Sequence, residues 1–362
     1  MKKIFVYEKI LKIHNKIAIK TPSGFSVLPP VIMLAITYQC NLKCKTCPLP
    51  DEKNIESTMS IEDAKNIIDN IKKSYRFYPF KPLIWVTGGE LFTHKNILEI
   101  LDYINECGLK YGFTTNGTLL TKRIIERILT HNVFNIRISL DGARCKHDTL
   151  RGVKGTYDKA LQTIKTIRNH ERGKGIPIVL ACVINPENTD PFSHLLKLSE
   201  KYDLDVRFKN LLFAREGIFE RYDDFFIKVS KCVSPEDYKI NYLRKEFKKT
   251  DIIELLMNMK LAKIRAKEMN NNINFSPSMS DDEFIRYFEN DDSLEVKRKS
   301  SFVYSIAIIS PNGTLIGCGK DISANVKFNK FSKVWNSSNG REFRRLIAET
   351  NPLPKLYPIT CE

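Results

Sequence analysis

The stretch ITYQCNLKCKTCPLP (36–50) places Cys40, Cys44 and Cys47 in one short segment, directly after the apolar run VIMLAIT (31–37). A structural zinc site wants four ligands, usually as two well-separated pairs, and no second cysteine pair lies near this segment. Three cysteines at this spacing can instead hold three corners of a cubane iron–sulfur cluster and leave the fourth iron open to a non-protein ligand. The spacing therefore favours a cluster, with zinc or plain structural thiols as the alternatives.

From residue 31 onward, short apolar runs alternate with amphipathic stretches. The first of these stretches opens at Ser60, with Asp63 three residues on as a capping pair. Continuous apolar strands separated by helices predict a parallel sheet covered on its outer face, in an α/β fold that is either a partial barrel or an open doubly wound sheet. The six predicted strands are VIMLAIT, PLIWVT, LKYGFTT, VFNIRISL, PIVLACVI and DVRFKNLLF.

The pattern changes after residue 214, where the chain becomes charged and helical before a hairpin pattern, FVYSIAIISPNGTLIGC, with its turn at Asn312-Gly313. We therefore expect a small hairpin-plus-helix module after the main sheet. The predicted division is an N-terminal extension (1–30), the α/β core (31–218), a charged helical segment (219–300) and the C-terminal module (301–362).

The composition narrows the class of protein. No apolar run approaches the ~18 residues of a membrane span, and the N-terminus lacks the apolar region of a signal peptide, which predicts a cytoplasmic protein without a membrane partner. Nine cysteines in such a chain indicate reduced thiols or metal ligands. The net charge of +16 fits a lysine-rich solvated surface, and the basic residues form no stripe with interleaved aromatics of the kind that binds nucleic acid.

The C-x3-C-x2-C spacing resembles the signature of the radical S-adenosylmethionine (radical SAM) superfamily, and later strand ends match that family in order: VTGGE (86–90), TTNG (114–117), SLDG (139–142), HDTLRG (147–152) and VIN (183–185). The resemblance implies a partial (β/α)6 barrel carrying a [4Fe–4S] cluster on Cys40, Cys44 and Cys47. In the family the open iron binds SAM, and an electron cleaves the sulfonium to a 5′-deoxyadenosyl radical. The resemblance also implies an electron donor such as flavodoxin or ferredoxin.

The same motifs nominate residues for SAM binding. Paired glycines let a backbone approach a ligand closely, and a carboxylate at the end of the second strand can accept from the methionine ammonium. The resemblance assigns the binding of the SAM carboxylate to Ser139 and Arg151. For Asn116 and Asn185 the alternative to lining the SAM pocket is a turn-capping role. The nominated residues are Gly88, Gly89, Glu90, Asn116, Ser139, Asp141, Arg151 and Asn185.

The C-terminal segment 311–346 resembles the SPASM and Twitch extensions, in which a hairpin cysteine and a tryptophan segment surround an auxiliary iron–sulfur cluster. Cys318 and Trp335 fit those positions, and Cys361 is the other cysteine of this module. Two cysteines cannot hold a cluster alone. We therefore expect one cluster in this chain, with recruitment of Cys232 or of ligands outside the chain as the alternatives.

Three functions follow from these observations. The leading hypothesis is a radical SAM enzyme that modifies a peptide or protein side chain, as the barrel with a Twitch-like extension implies. The second is radical oxidation or epimerisation of a carbohydrate or aminoglycoside, where Cys145, after the fourth strand, is a candidate hydrogen-atom donor. The third is a non-catalytic zinc- or RNA-binding protein.

Overall fold

The part of the chain that the structure describes folds around one nine-stranded sheet. A computed structural model describes residues 23–47, 58–211, 246–289, 291, 294, 302–316 and 325–349. Neighbouring strands are parallel except for the last pair, and the sheet order is β7-β6-β5-β4-β3-β2-β1-β8-β9. The strands are β1 (Val31–Thr37), β2 (Leu83–Gly88), β3 (Lys110–Thr115), β4 (Val133–Ser139), β5 (Ile178–Ile184), β6 (Asp205–Asn210), β7 (Ile273–Ser276), β8 (Ile306–Ile309) and β9 (Leu315–Ile316). The predicted α/β fold is confirmed, with a sheet that is open.

Helices connect the parallel strands and cover one face of the sheet. The first begins as the capping pattern predicts, since the Ser60 hydroxyl accepts from the Asp63 backbone N–H at 3.0 Å. No helix in the described ranges is long and apolar enough to cross a membrane. The α-helices are Ile61–Ser74, Ile97–Glu106, Lys122–Ile128, Arg144–Arg151, Thr156–Asn169, Phe192–Tyr202, Lys249–Glu268, Asp281–Phe288, Phe302–Ser305, Phe331–Trp335 and Ser338–Glu349.

The two faces of the sheet differ in burial. On β4, Ile136 and Ile138 are buried in the core beneath the helices, whereas Arg137 and Ser139, which alternate with them, are only partly buried. Side chains alternate between the two faces of a strand, so the partly buried set lies on the face turned away from the helices, here called the inner face. The same alternation continues at Ala181, Val183, Arg207 and Lys209 on β5 and β6.

Three strands extend the sheet beyond the six predicted ones. β7 comes from the charged segment and pairs in parallel with β6, while β8 comes from the C-terminal segment and pairs in parallel with β1. The hairpin turn lies where the sequence places it, with Gly313 at φ 85°. Residues 302–305 form a short helix, whereas the hairpin pattern predicts a strand there. The C-terminal hairpin thus continues the main sheet.

Candidate active site

The cysteine-bearing segment, here called the cluster loop (40–47), begins directly after β1 at the carboxyl ends of the strands. The backbone N–H of Gly89 donates to the Thr37 carbonyl at 2.8 Å. A Cβ on Gly88 would lie 2.0 Å from the Thr37 oxygen, and one on Gly89 would lie 2.3 Å from the Gln39 oxygen. A side chain at such distances would force the facing backbone to shift. The two glycines therefore bring the ends of β1 and β2 together and determine where the cluster loop starts.

Glu90 joins β2 to β3 from a buried position. Its carboxylate accepts from the Thr115 hydroxyl at 2.8 Å and from the Asn116 backbone N–H at 2.6 Å. Burial raises the pKa of Glu90 to about 6, against the lowering effect of these hydrogen bonds. The carboxylate is therefore ionised at neutral pH and already holds two strand ends together. Its nomination as the acceptor for the SAM ammonium stays a prediction.

The TTNG segment holds the cluster loop from a second side. The Asn116 side-chain amide donates to the Asn41 oxygen at 2.9 Å, and the Asn41 amide donates to the Thr118 hydroxyl at 2.9 Å. Asn116 also accepts from the Thr118 backbone N–H at 2.9 Å, which is the turn-capping geometry. Asn116 therefore caps its own turn and contacts the residue next to Cys40.

The HDTLRG segment holds the cluster loop from a third side. The Lys45 backbone N–H donates to the Leu150 carbonyl at 2.8 Å. Gly152 has φ 71°, and a Cβ there would lie 2.3 Å from the Lys43 oxygen. The Arg151 guanidinium Nη1 lies 3.7 Å from Cys44 Sγ and donates to it. Arg151, nominated for the SAM carboxylate, thus contacts a predicted cluster ligand.

Asp141 positions that arginine. Its Oδ2 accepts from Arg151 Nε at 2.7 Å, and the two side chains are 2% and 12% exposed. Its Oδ1 accepts from the Val183 backbone N–H at 3.1 Å, so the carboxylate also ties β4 to β5. Burial opposes the charge of Arg151, but Asp141 and Cys44 outweigh it and raise the pKa of the guanidinium. The result is a fixed cation beside Cys44.

His147 supports this ion pair, a role that sequence patterns did not suggest. Its Nδ1 accepts from the Asp141 backbone N–H at 3.1 Å. Burial lowers the pKa of His147 to about 4, so the ring is neutral at neutral pH. The Asn188 side-chain amide adds a bond to the Asp141 carbonyl at 2.6 Å. In the sequence, the only indication of this role is that His147 lies within the HDTLRG segment.

Two further nominated residues lie nearby. Ser139 ends β4 on the inner face, and in the described ranges its hydroxyl has no hydrogen-bond partner, which leaves it available to a ligand. Asn185 follows β5 and is fully buried, where its oxygen accepts from the Glu187 backbone N–H at 3.0 Å in a turn-capping arrangement. The roles of both in SAM binding stay predictions.

The donor set fits an iron–sulfur cluster. The three thiols are half-buried at the sheet edge, and Cys40 Sγ accepts from the Leu42 backbone N–H at 3.4 Å. Burial raises the pKa of Cys40 to about 11 despite that bond, so an iron centre must displace the proton when it binds. In the described ranges, no group of three His, Cys, Asp or Glu is placed to hold a single metal ion. A loop fastened on three sides, with the Leu42 N–H donating to Cys40 and the Arg151 guanidinium to Cys44, suits thiolates that share a cluster.

The remaining cysteines divide by exposure. Cys107 and Cys182 are buried, which suits small core residues, whereas Cys145 is exposed on the helix Arg144–Arg151. Its hydrogen-donor role stays a prediction. Cys318 and Cys361, the candidate auxiliary ligands, lie outside the described residues. Trp335 is buried, and the Arg344 guanidinium stacks 4.5 Å from its ring centroid, so it serves the packing of the C-terminal segment.

Comparison with known proteins agrees with this geometry. Residues 34–199 match the Radical SAM superfamily. The chain is 30% identical over 191 residues to the Fe-coproporphyrin III synthase of Methanosarcina barkeri, covering 52% of this chain and 45% of that protein. It is 35% identical over 154 residues to the antilisterial bacteriocin subtilosin biosynthesis protein AlbA of Bacillus subtilis, covering 41% of this chain and 33% of that protein.

Among solved structures, Streptococcus suis SuiB superimposes with a TM-score of 0.60 at 16% identity, covering 88% of this chain and 68% of that one. That likeness supports the fold alone. The chain spans a third to just under half of the length of the two curated relatives named above. The matched residues 34–199 are therefore a radical SAM domain. The family implies a [4Fe–4S] cluster and SAM as cofactors.

Proposed function

We propose that this chain generates a 5′-deoxyadenosyl radical from SAM and uses it to modify a side chain of a peptide or protein. The observation that carries the proposal is the cluster loop, whose three cysteines are held at the open ends of β1 to β4 by the motifs that the resemblance assigns to SAM. When bound, the cluster supplies the electron that cleaves SAM. The chain's own residues hold the thiolates, fix a cation beside Cys44 and leave Ser139 facing the open side.

The peptide class is supported by the relatives. AlbA is named for bacteriocin biosynthesis, and SuiB has been crystallised with its precursor peptide SuiA. The superfamily assignment also favours the two enzymatic hypotheses over a non-catalytic zinc- or RNA-binding protein. A porphyrin is a second candidate substrate, because the matched proteins include a Fe-coproporphyrin III synthase.

The experiment is anaerobic reconstitution with iron and sulfide, followed by measurement of 5′-deoxyadenosine under reducing conditions. Single replacement of Cys40, Cys44 or Cys47 by Ala should abolish SAM cleavage and leave the sheet folded. Cys107→Ala is the matched control, because that thiol is buried away from the cluster loop and should leave cleavage intact. Wild-type rates in any of the three loop variants would contradict the proposal.

The substrate class is tested separately. A candidate precursor peptide should gain a SAM-dependent mass change, while incubation with an iron tetrapyrrole precursor should yield no Fe-coproporphyrin III, the product for which that relative is named. The opposite pair of results would favour the porphyrin. Iron and sulfide of about four each per chain are expected for one cluster, and about eight would reveal an auxiliary cluster.

A further inference from the structure

The inner face of the sheet carries Arg137, a guanidinium that the site at the strand ends does not use. It lies on β4 two residues before Ser139, which places it roughly 7 Å further from the cluster end of the strand. Its Nε is excluded from solvent and has no hydrogen-bond partner. In the described ranges, no carboxylate forms an ion pair with it. A guanidinium held in this way is costly unless an anion joins it.

Three neighbouring strands build the place where this guanidinium lies. Its central carbon is 4.3 Å from the ring centroid of Trp85 on β2. The Trp85 Nε1–H donates to the Thr114 hydroxyl on β3 at 3.1 Å, which fixes the ring. A Cβ on Gly112 would lie 2.6 Å from that ring, so only glycine lets the indole cross β3 to reach β4. The position of Arg137 against Trp85 therefore depends on residues of all three strands.

A second positive charge lies on the same face. Arg207 on β6 alternates with buried residues as Arg137 does, and the register places the small Ala181 of β5 between Ser139 and Arg207. Burial lowers the pKa of Arg137 to about 9, and the charge of Arg207 lowers it further in the same direction. The Arg137 guanidinium stays charged at neutral pH. An anion bound here would offset its desolvation.

The chemistry of the guanidinium selects the kind of anion. Arg137 lies over the indole with its Nε–H unpartnered, and the Nε–H of a guanidinium is parallel to an N–H of the neighbouring Nη. Parallel N–H groups match the two oxygens of a planar carboxylate in a bidentate contact. The hydroxyl of Ser139 on the same face marks the direction of the predicted SAM site.

We propose that Arg137, stacked on Trp85 and accompanied by Arg207, binds a carboxylate of the substrate on the inner face, deeper in the sheet than SAM. The identification of that carboxylate as the substrate's rests on the proposed function, whereas the anion site itself does not. An acidic side chain of a peptide and a free organic acid share this chemistry, and the probes below separate them.

The test is calorimetric titration of the full chain, reconstituted anaerobically and saturated with SAM. The probes are N-acetylglutamate amide, its uncharged partner N-acetylglutamine amide, and glutarate. The glutamate probe should bind at least about tenfold more tightly than the glutamine probe, as expected for a charge-assisted contact. Stronger binding of glutarate than of the glutamate probe would assign the site to a free acid, and the reverse to a peptide side chain.

Substitutions test whether Arg137 is responsible for the preference for the glutamate probe. Arg137→Gln should remove the preference for the glutamate probe, and Arg137→Lys, which keeps the charge without the fork, should retain part of it. Arg127→Gln is the matched control, because Arg127 pairs with Asp102 away from the inner face, and it should bind both probes as the wild type does. Equal binding of the two amide probes by the wild type, or no binding of either, would overturn the proposal.

Two measurements on the same preparations keep the interpretations apart. SAM affinity should be the same in the wild type and in Arg137→Gln, and its loss in the variant would show that this arginine holds the SAM carboxylate and refute the proposal. Production of 5′-deoxyadenosine reports on the proposed function independently. A chain that cleaves SAM but shows no carboxylate preference would refute only the inner-face site.

Discussion

Replacement of Asp141 by Asn tests the ion pair that fixes the cation beside the cluster loop. The Asp141–Arg151 contact is 2.7 Å long between side chains that are 2% and 12% exposed, so solvent screens it little. Removal of one partner from a buried pair costs about 3–5 kcal/mol because the other charge stays buried. Asn keeps an oxygen for the Val183 N–H, and Cys44 still accepts from the arginine, so we expect about 3 kcal/mol.

The assay is denaturant unfolding of the metal-free, reduced protein, with Asp158→Asn as the matched control. Asp158 pairs with Arg144 at the surface, where the side chains are 46% and 60% exposed. An exposed pair contributes at most about 1 kcal/mol. A loss in Asp141→Asn no larger than the loss in the control would refute the anchoring role of Asp141.

Three further outcomes are expected. Gly89→Ala should lower the free energy of unfolding by about 1–3 kcal/mol, because its Cβ would meet two backbone oxygens. The control Gly175→Ala should have little effect, because no atom lies within 4 Å of the added Cβ. Equal losses in the two variants would contradict the close approach of Gly89 to the backbone of residues 38 and 39. Because burial holds the pKa of His147 at about 4 against 6.5 when unfolded, the unfolded state binds more protons between these values. Stability should therefore fall by up to about 3 kcal/mol as the pH drops through that window, and this loss should disappear in His147→Asn, which keeps an acceptor for Asp141. Arg151→Met should make the cluster's midpoint potential more negative in an EPR-monitored titration, since it removes a donor to a ligand sulfur, and an unchanged potential would show that the contact is absent in the loaded protein.

The elements of the core were predictable because their signals are local. A Ser60 cap, an apolar face on the helix that follows it, and an uninterrupted apolar strand each act within a few residues. The edge strand β7 was not predictable, and neither was the pairing of the predicted hairpin with β1 through β8, since a strand of four residues joins a sheet only when a distant partner offers free N–H and C=O groups. The same holds for residues 302–305, where an apolar pattern is compatible with either conformation.

The nominated site residues likewise divide into features that local sequence predicts and contacts that only the fold creates. Cysteine spacing points to cluster chemistry because the ligands are neighbours in the chain, and the order of the motifs at strand ends predicts that they meet at one edge of the sheet. Spacing cannot show that the glycines of VTGGE lie against residues 37–39, or that Glu90 joins β2 to β3.

What the sequence determined by itself is therefore the chemistry: the thiols of the cluster loop, the α/β core and the family to which residues 34–199 belong. Tertiary structure alone decided the contacts between strand ends, which bring Arg151 to Cys44 across more than a hundred residues of chain. It also decided the stacking of Arg137 on Trp85, because β3 lies between them and only the glycine at position 112 leaves room for the ring. The physical reason is that ligand types and strand periodicity are encoded by near neighbours in sequence, whereas the partner of each buried charge is set by sheet register.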